Sequence, residues 1–154
     1  MSYSQSQSGA YALILGEVAG RRRLPIIIGA FEAQAIAVEL EKMKPSRPLT
    51  HDLFKNFADH FRIEIKEVII DAFRQGVFHA KLVCQHDHIE SLIDARTSDA
   101  VAMAIRFKCP IFTYEDIMEE AGVLMDETEH EPVADSAPLA EEKPSSGEFD
   151  DLTV

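Results

Sequence analysis

Five polar side chains crowd six positions in Asp94-Ala95-Arg96-Thr97-Ser98-Asp99. An apolar run, Ser91-Leu92-Ile93, stops there and a small-residue helix begins at once. The cluster therefore marks a strand-to-helix junction, where free backbone N–H groups and the positive end of a helix dipole are presented. A second group, Arg47, Thr50, His51 and Asp52, surrounds another predicted helix start, and Glu32 lies in the first turn of a third. These types fit the hydrolysis of a phosphodiester, which needs charge neutralisation on phosphate, an activated water and a protonated leaving group. Arg47 and Arg96 can hold phosphate oxygens bidentately, with Thr50 and Ser98 as further contacts. Glu32, Asp94 and Asp99, with Asp52 beside them, are the oxygen donors a hard cation such as Mg²⁺ or Mn²⁺ would take. His51, at a helix start whose dipole disfavours imidazolium, is the candidate base.

The spacings are not diagnostic alone. There is no H-x-x-x-H pair, C-x-x-C, phosphate-binding Gly-rich loop or G-x-S-x-G elbow. The plain structural reading is a capped helix with an Asp–Arg ion pair beside it; capping accounts for Ser98 (or Thr97) and Asp99, but not for Arg96 and Asp94 as well. His86-Asp87-His88 and Arg21-Arg22-Arg23 read as solvated turns before they read as binding clusters.

The elements that would position these groups follow from periodicity. Tyr11–Leu15 and Leu24–Ile28 read as a hairpin of strands, with Pro25 marking an edge or a strand beginning. A helix is predicted over 30–43, with Phe31, Ala35, Val38 and Met43 along one side. Two prolines keep 44–49 out of helix. Thr50 is predicted to cap a helix running to Phe61, with Leu53, Phe54, Phe57, Ala58 and Phe61 as its apolar stripe. Strands follow at 62–70, 77–84 and 89–93, with Gln75-Gly76 as a hairpin turn. After the central helix come a short strand, Ile111-Phe112, and a last helix, 114–121, capped by Thr113 and closed by Gly122.

The chain also matches itself at an offset of 67. Tyr11–Leu15 falls on Phe78–Leu82, Ile26 on Ile93, Glu32-Ala33 on Asp99-Ala100, and Ala35 and Ala37 on Ala102 and Ala104. This predicts an α+β fold of mixed sheet and packed helices, built on two duplicated β-β-α units. Glu32 and Asp99 would then be equivalent acids at equivalent helix starts.

Composition bounds the rest. The 154 residues are 46% hydrophobic, enough for one cored domain, here 1–125. Residues 126–154 hold ten acidic side chains and one lysine, a balance of −9, so that segment is expected to be a disordered acidic tail. Residues 1–125 hold seventeen acids and fourteen bases, a balance of −3, which excludes a broad basic nucleic-acid face. No run of eighteen apolar residues predicts a membrane span, and the N-terminus lacks a secretory signal pattern. Cys84 and Cys109 read as free thiols of a reducing cytoplasm.

Three ordered motifs carry a family resemblance. Leu24-Pro-Ile-Ile-Ile-Gly29 leads into Glu32-Ala33-x-Ala35-Ile36-Ala37, Arg47-Pro-Leu-Thr-His-Asp-Leu53 follows, and Ile93-Asp-Ala-Arg-Thr-Ser-Asp-Ala100 runs on to Ala104-Ile-Arg106 before Pro110-Ile111. Over roughly residues 9–122 the sequence resembles the bifunctional nuclease family, with Thr97 where many members carry proline. The resemblance implies a mixed α+β domain, usually oligomeric, with the DNase and RNase activity reported for plant members, and so a homo-oligomer with nucleic acid as partner. Members tend to begin with a further strand upstream of the segment matching Tyr3, which implies a late start or a fragment here and leaves the first sheet edge open. The rival expectation is a non-catalytic binding or regulatory module that oligomerises, its polar junctions holding the fold together.

Overall fold

The computed structural model describes residues 10–124 and the backbone of the strand Ser2–Gln5. The expected acidic tail, 126–154, lies outside the described residues. In chain order the elements are β1 (Ser2–Gln5), β2 (Tyr11–Gly16), β3 (Arg22–Ile28), α1 (Ala30–Leu40), α2 (Thr50–His60), β4 (Ile63–Arg74), β5 (Val77–His86), β6 (Ile89–Arg96), α3 (Thr97–Phe107), β7 (Ile111–Thr113), α4 (Glu115–Ala121) and β8 (Val123–Leu124). They form two four-stranded sheets, β1-β2-β3-β8 and β6-β5-β4-β7. The first is antiparallel throughout, and in the second only β7 runs parallel to its neighbour β4. The expected mixed α+β architecture is the one observed.

Local chemistry sets these elements. Gln75 and Gly76 both take positive φ, 52° and 78°, the two-residue turn whose twist matches an antiparallel pair. The β4–β5 hairpin that results is the longest in the fold. α3 is the centre of the core: Ala100, Val101, Ala102, Met103 and Ala104 are all buried. Its alanines let α1 approach closely, through Ala33, Ala35 and Ile36. The predicted face of α1 is thus displaced. Phe31 and Met43 are exposed, and the helix ends at Leu40, three residues early, where Lys42 takes a left-handed φ of 55°.

Larger departures concern α2 and the C-terminal end. Of the α2 stripe only Ala58 is buried, while Leu53, Phe54, Phe57 and Phe61 face outward. α2 packs on α3 and β4, so one narrow line of it meets the core. Thr50 is its first residue and Leu49 its cap; Leu49 has no side-chain acceptor, and Asp52 closes the turn by accepting the Leu49 N–H at 2.9 Å. Tyr114, not Thr113, precedes α4, because the Thr113 hydroxyl donates to the Ile70 carbonyl at 3.2 Å. Gly122 keeps a negative φ of −75° and extends into β8, a strand the sequence pattern did not announce.

The duplication is visible in the element boundaries. Shifting α1, residues 30–40, by 67 gives 97–107, the span of α3. The hairpins that precede them, β2–β3 and β5–β6, are both antiparallel.

Candidate functional site

Three helix N-termini meet at one open cleft of about 970 Å³. Glu32 lies in the first turn of α1, His51 is the second residue of α2, and Asp99 lies in the first turn of α3; all three line the cleft. Arg96, the last residue of β6, caps α3 by position and reaches across to both acids. Its Nε donates to Asp99 Oδ2 at 2.6 Å, its Nη2 to Asp99 Oδ1 at 3.0 Å and its Nη1 to Glu32 Oε1 at 2.8 Å. His51 Nε2 lies 2.9 Å from Asp99 Oδ1. A continuous chain, His51–Asp99–Arg96–Glu32, is the result.

The expected convergence of 47–52 with 94–99 therefore holds through His51 and Asp99, and the acids at equivalent helix starts share one guanidinium. Burial pushes the Asp99 carboxyl up, but the hydrogen bonds from Arg96 and His51 and the Arg96 charge outweigh it and hold Asp99 below the ordinary carboxylate range. An ionised carboxylate only accepts, so His51 Nε2 carries a proton and donates it to Asp99 Oδ1; in the neutral ring the lone pair is then on Nδ1. The Arg96 side chain is 67% exposed. Three of its five N–H groups are committed, and one on each Nη is left for a ligand.

The other candidates separate. Asp94 and Thr50 line the cleft, both exposed. Asp94 stands opposite Lys81 in the β5–β6 ladder. Arg47 is exposed in the loop before α2, and neither it nor Ser98 is among the lining residues. The buried Thr97 does not cap α3; its hydroxyl donates to the Phe78 carbonyl of β5 at 2.9 Å. Asp52 turns from the cleft to Arg106, accepting from Nε at 2.7 Å. Burial raises the Asp52 carboxyl, and the bonds from Arg106 and Leu49 then bring it below its usual range.

Arg106 was missed as a positioning group. Its side chain is 2% exposed, and it also donates to the Ala102 carbonyl at 3.0 Å and the Ala35 carbonyl at 3.2 Å. One guanidinium thus fastens α1, α2 and α3, the three helices whose starts form the cleft. The available signal was a lone cation four residues after Ala102, on the apolar side of α3, which demands a buried partner.

A divalent cation was the expected cofactor, with Glu32, Asp94 and Asp99 as ligands. Among the described residues no three His, Cys, Asp or Glu side chains are grouped to hold a metal ion. The Arg96 guanidinium bridges Glu32 and Asp99 where a shared cation would sit, and both Asp99 oxygens are engaged. As arranged, these donors do not make a metal cage. His86, Asp87 and His88 are exposed around a turn in which Asp87 takes a φ of 52°. Arg22 is pinned by Glu17 at 2.6 Å and by Glu115, and Arg23 donates to the carbonyls of Gly20 and Arg22.

Known proteins are similar along most of this length. Uncharacterised proteins from two strains of Mycobacterium tuberculosis are each 41% identical over 120 residues, 77% of this chain and 71% of the relative. A rice protein (Oryza sativa subsp. japonica) named Bifunctional nuclease 2 is 29% identical over 103 residues, 65% of this chain but 32% of that longer protein. The bifunctional nuclease domain, as a family, matches residues 13–126, a span that contains β3 to β8 and every residue of the cleft. On that match the chain belongs to the bifunctional nuclease domain family.

Proposed function

We propose that the cleft hydrolyses phosphodiester bonds in DNA or RNA. The observation that carries this reading is the chain His51–Asp99–Arg96–Glu32, open to solvent where three helix dipoles meet. The two uncommitted N–H groups of Arg96 suit the phosphate oxygens and stabilise the charge that builds on them. His51 Nδ1 suits the removal of a proton from the attacking water, with Asp99 orienting the ring and stabilising the imidazolium. Asp99 and Glu32 together fix the guanidinium. Thr50 and Asp94 flank the same space. The free Cys84 and Cys109 favour a reducing compartment, the cytoplasm. The outward face of α2, Leu53, Phe57 and Phe61, favours a homo-oligomer.

The test is cleavage of single-stranded DNA and RNA by purified protein, with Mg²⁺, with Mn²⁺ and with chelator. Wild type is expected to cleave, and Asp99→Asn and His51→Ala to be inactive at nearly wild-type stability. Activity that survives chelation assigns the phosphate charge to Arg96; activity restored only by a cation returns Glu32 and Asp99 to a ligand role. Cleavage at wild-type rate by both variants refutes the site. Absence of cleavage under every condition favours the binding or regulatory module, toward which the excess of acids over bases in the cleft also points.

A further inference from the structure

Phe31 is out of place for folding. It is the second residue of α1, directly before Glu32, and the residue is 85% exposed at the cleft wall. Phe54 of α2 is also exposed and lines the same cleft. Neither ring is among the aromatic pairs of the described residues, which are Phe57–Phe61, His60–Phe61 and Phe73–Phe78. Two exposed rings lining one cleft are apolar surface that a ligand entering it can cover.

Charge narrows the choice of ligand. Three carboxylates, Glu32, Asp94 and Asp99, line the cleft against one guanidinium, Arg96. Such a site has no excess positive charge with which to release counterions from a phosphate backbone, so backbone electrostatics cannot supply the affinity. An uncharged, flat group suits the exposed rings of that lining, with the phosphate meeting Arg96 alone. Bases have such faces, and only unpaired bases offer them to a side chain. In a duplex those faces are stacked on one another.

We propose that the cleft accepts an unpaired nucleobase, stacked on Phe31 with Phe54 beside it, and that this selects single-stranded nucleic acid. The proposal rests on the phosphodiester reading for what Arg96 then holds, and it adds a recognition element that reading does not need. Phe31 and Phe54 touch none of the chain from His51 to Glu32 by hydrogen bond, so their loss leaves the chemical groups in place.

The experiment uses the full chain and a short DNA strand carrying 2-aminopurine, whose fluorescence falls when it stacks. Wild type is expected to quench it. Phe31→Ala should weaken binding on the order of tenfold, Phe31→Trp should restore it, and an abasic strand of the same length should bind weakly to all three. A duplex of the same sequence should bind more weakly than the single strand. Between about 50 and about 200 mM salt the affinity should change far less than the roughly thousandfold expected of a phosphate-driven binder. Equal affinity for wild type and Phe31→Ala, or an abasic strand bound as tightly as one with bases, overturns the stacking site; if cleavage persists in that case, the nuclease reading stands without it. Phe31-dependent quenching with no cleavage supports the base site and removes the nuclease. No binding to any strand overturns this proposal.

Discussion

Arg106→Met should be among the most damaging single changes in the domain. The methionine keeps much of the stem and removes every donor. Arg106 is 2% exposed and its partner Asp52 26%. Breaking a buried ion pair by removing one member costs about 3–5 kcal/mol. Asp52 keeps the Leu49 N–H at 2.9 Å and some access to water, which sets the value near the lower end, about 3 kcal/mol. The Ala35 carbonyl also loses its donor at 3.2 Å. For a domain of this size the melting temperature should fall by roughly 10–15 °C. Asp52→Asn should cost a similar amount, because it strands the guanidinium, while the double variant should cost clearly less than the sum. Urea melts followed by circular dichroism of wild type and the three variants give all four corners of the cycle. The same variants decide what Asp52 does, which the sequence offers among the acids of the site. If it only fastens helices, Asp52→Asn measured well below its melting point keeps the wild-type shape of the pH–rate profile. A loss under about 0.5 kcal/mol for Arg106→Met, or strict additivity in the cycle, refutes the reasoning.

Asp99→Asn should behave in the opposite way. Its ion pair with Arg96 is solvent-exposed, so the stability cost should stay under about 1 kcal/mol by chemical denaturation while cleavage is lost. The carboxyls of Asp52 and Asp99 are both held below their ordinary value of 3.8, so each stabilises the fold above its unfolded pKa and loses that contribution as pH falls through the folded one. Melting temperature should therefore not vary on their account above about pH 5 and should drop below about pH 4, less steeply in Asp52→Asn. Phe57→Glu should give a smaller species than wild type by light scattering, if the outward face of α2 joins copies; an unchanged mass removes that face from the contact. Arg22→Ala breaks only partly exposed pairs with Glu17 and Glu115 and should cost less than about 1 kcal/mol in the same melts.

What the sequence disclosed divides along physical lines. Strands β2 to β7, the β4–β5 turn and the three helix starts at the cleft were legible because they depend on local chemistry: alternation, Gln75-Gly76, and acids in first turns. Glu32, His51, Arg96 and Asp99 were legible among nine candidates because each stands where a helix begins; which four would bond to one another was not. Which helix face is buried was not legible for α1 or α2. Periodicity assigned Phe31 and Phe57 to the interior because they are large, but α3 presents alanines and accepts small partners such as Ala33 and Ala58. The strongest hydrophobes on those helices were left outside for the same reason. Arg106 and Asp52 illustrate the other limit. In its own segment Asp52 reads as a site acid and Arg106 as a lone cation on an apolar face; their bond spans 54 positions, so the packing of α2 on α3 is what pairs them.

The duplication explains why there is one such site and not two. By the offset of 67, Arg96 corresponds to Gly29, and each is the cap residue of its helix. The first unit therefore has the acid, Glu32, but no guanidinium, and Glu32 folds back over its own cap to reach the Arg96 of the second unit. The glycine permits this. A Cβ built on Gly29 would stand 2.4 Å from Glu32 Oε2, closer than any real contact. Gly29 has an extended backbone, φ −77° and ψ 166°, which alanine adopts without strain. Gly29→Ala should therefore leave the melting temperature almost unchanged and push the Glu32 carboxylate away from Arg96. The expected signature is a fall in kcat/KM of a few-fold, matching that of Glu32→Gln, since each removes the same exposed charge-assisted bond of about 1 kcal/mol. The double variant should be no worse than either single one. A Gly29→Ala protein that cleaves like wild type while Glu32→Gln is impaired would show that Glu32 acts without its reach over Gly29.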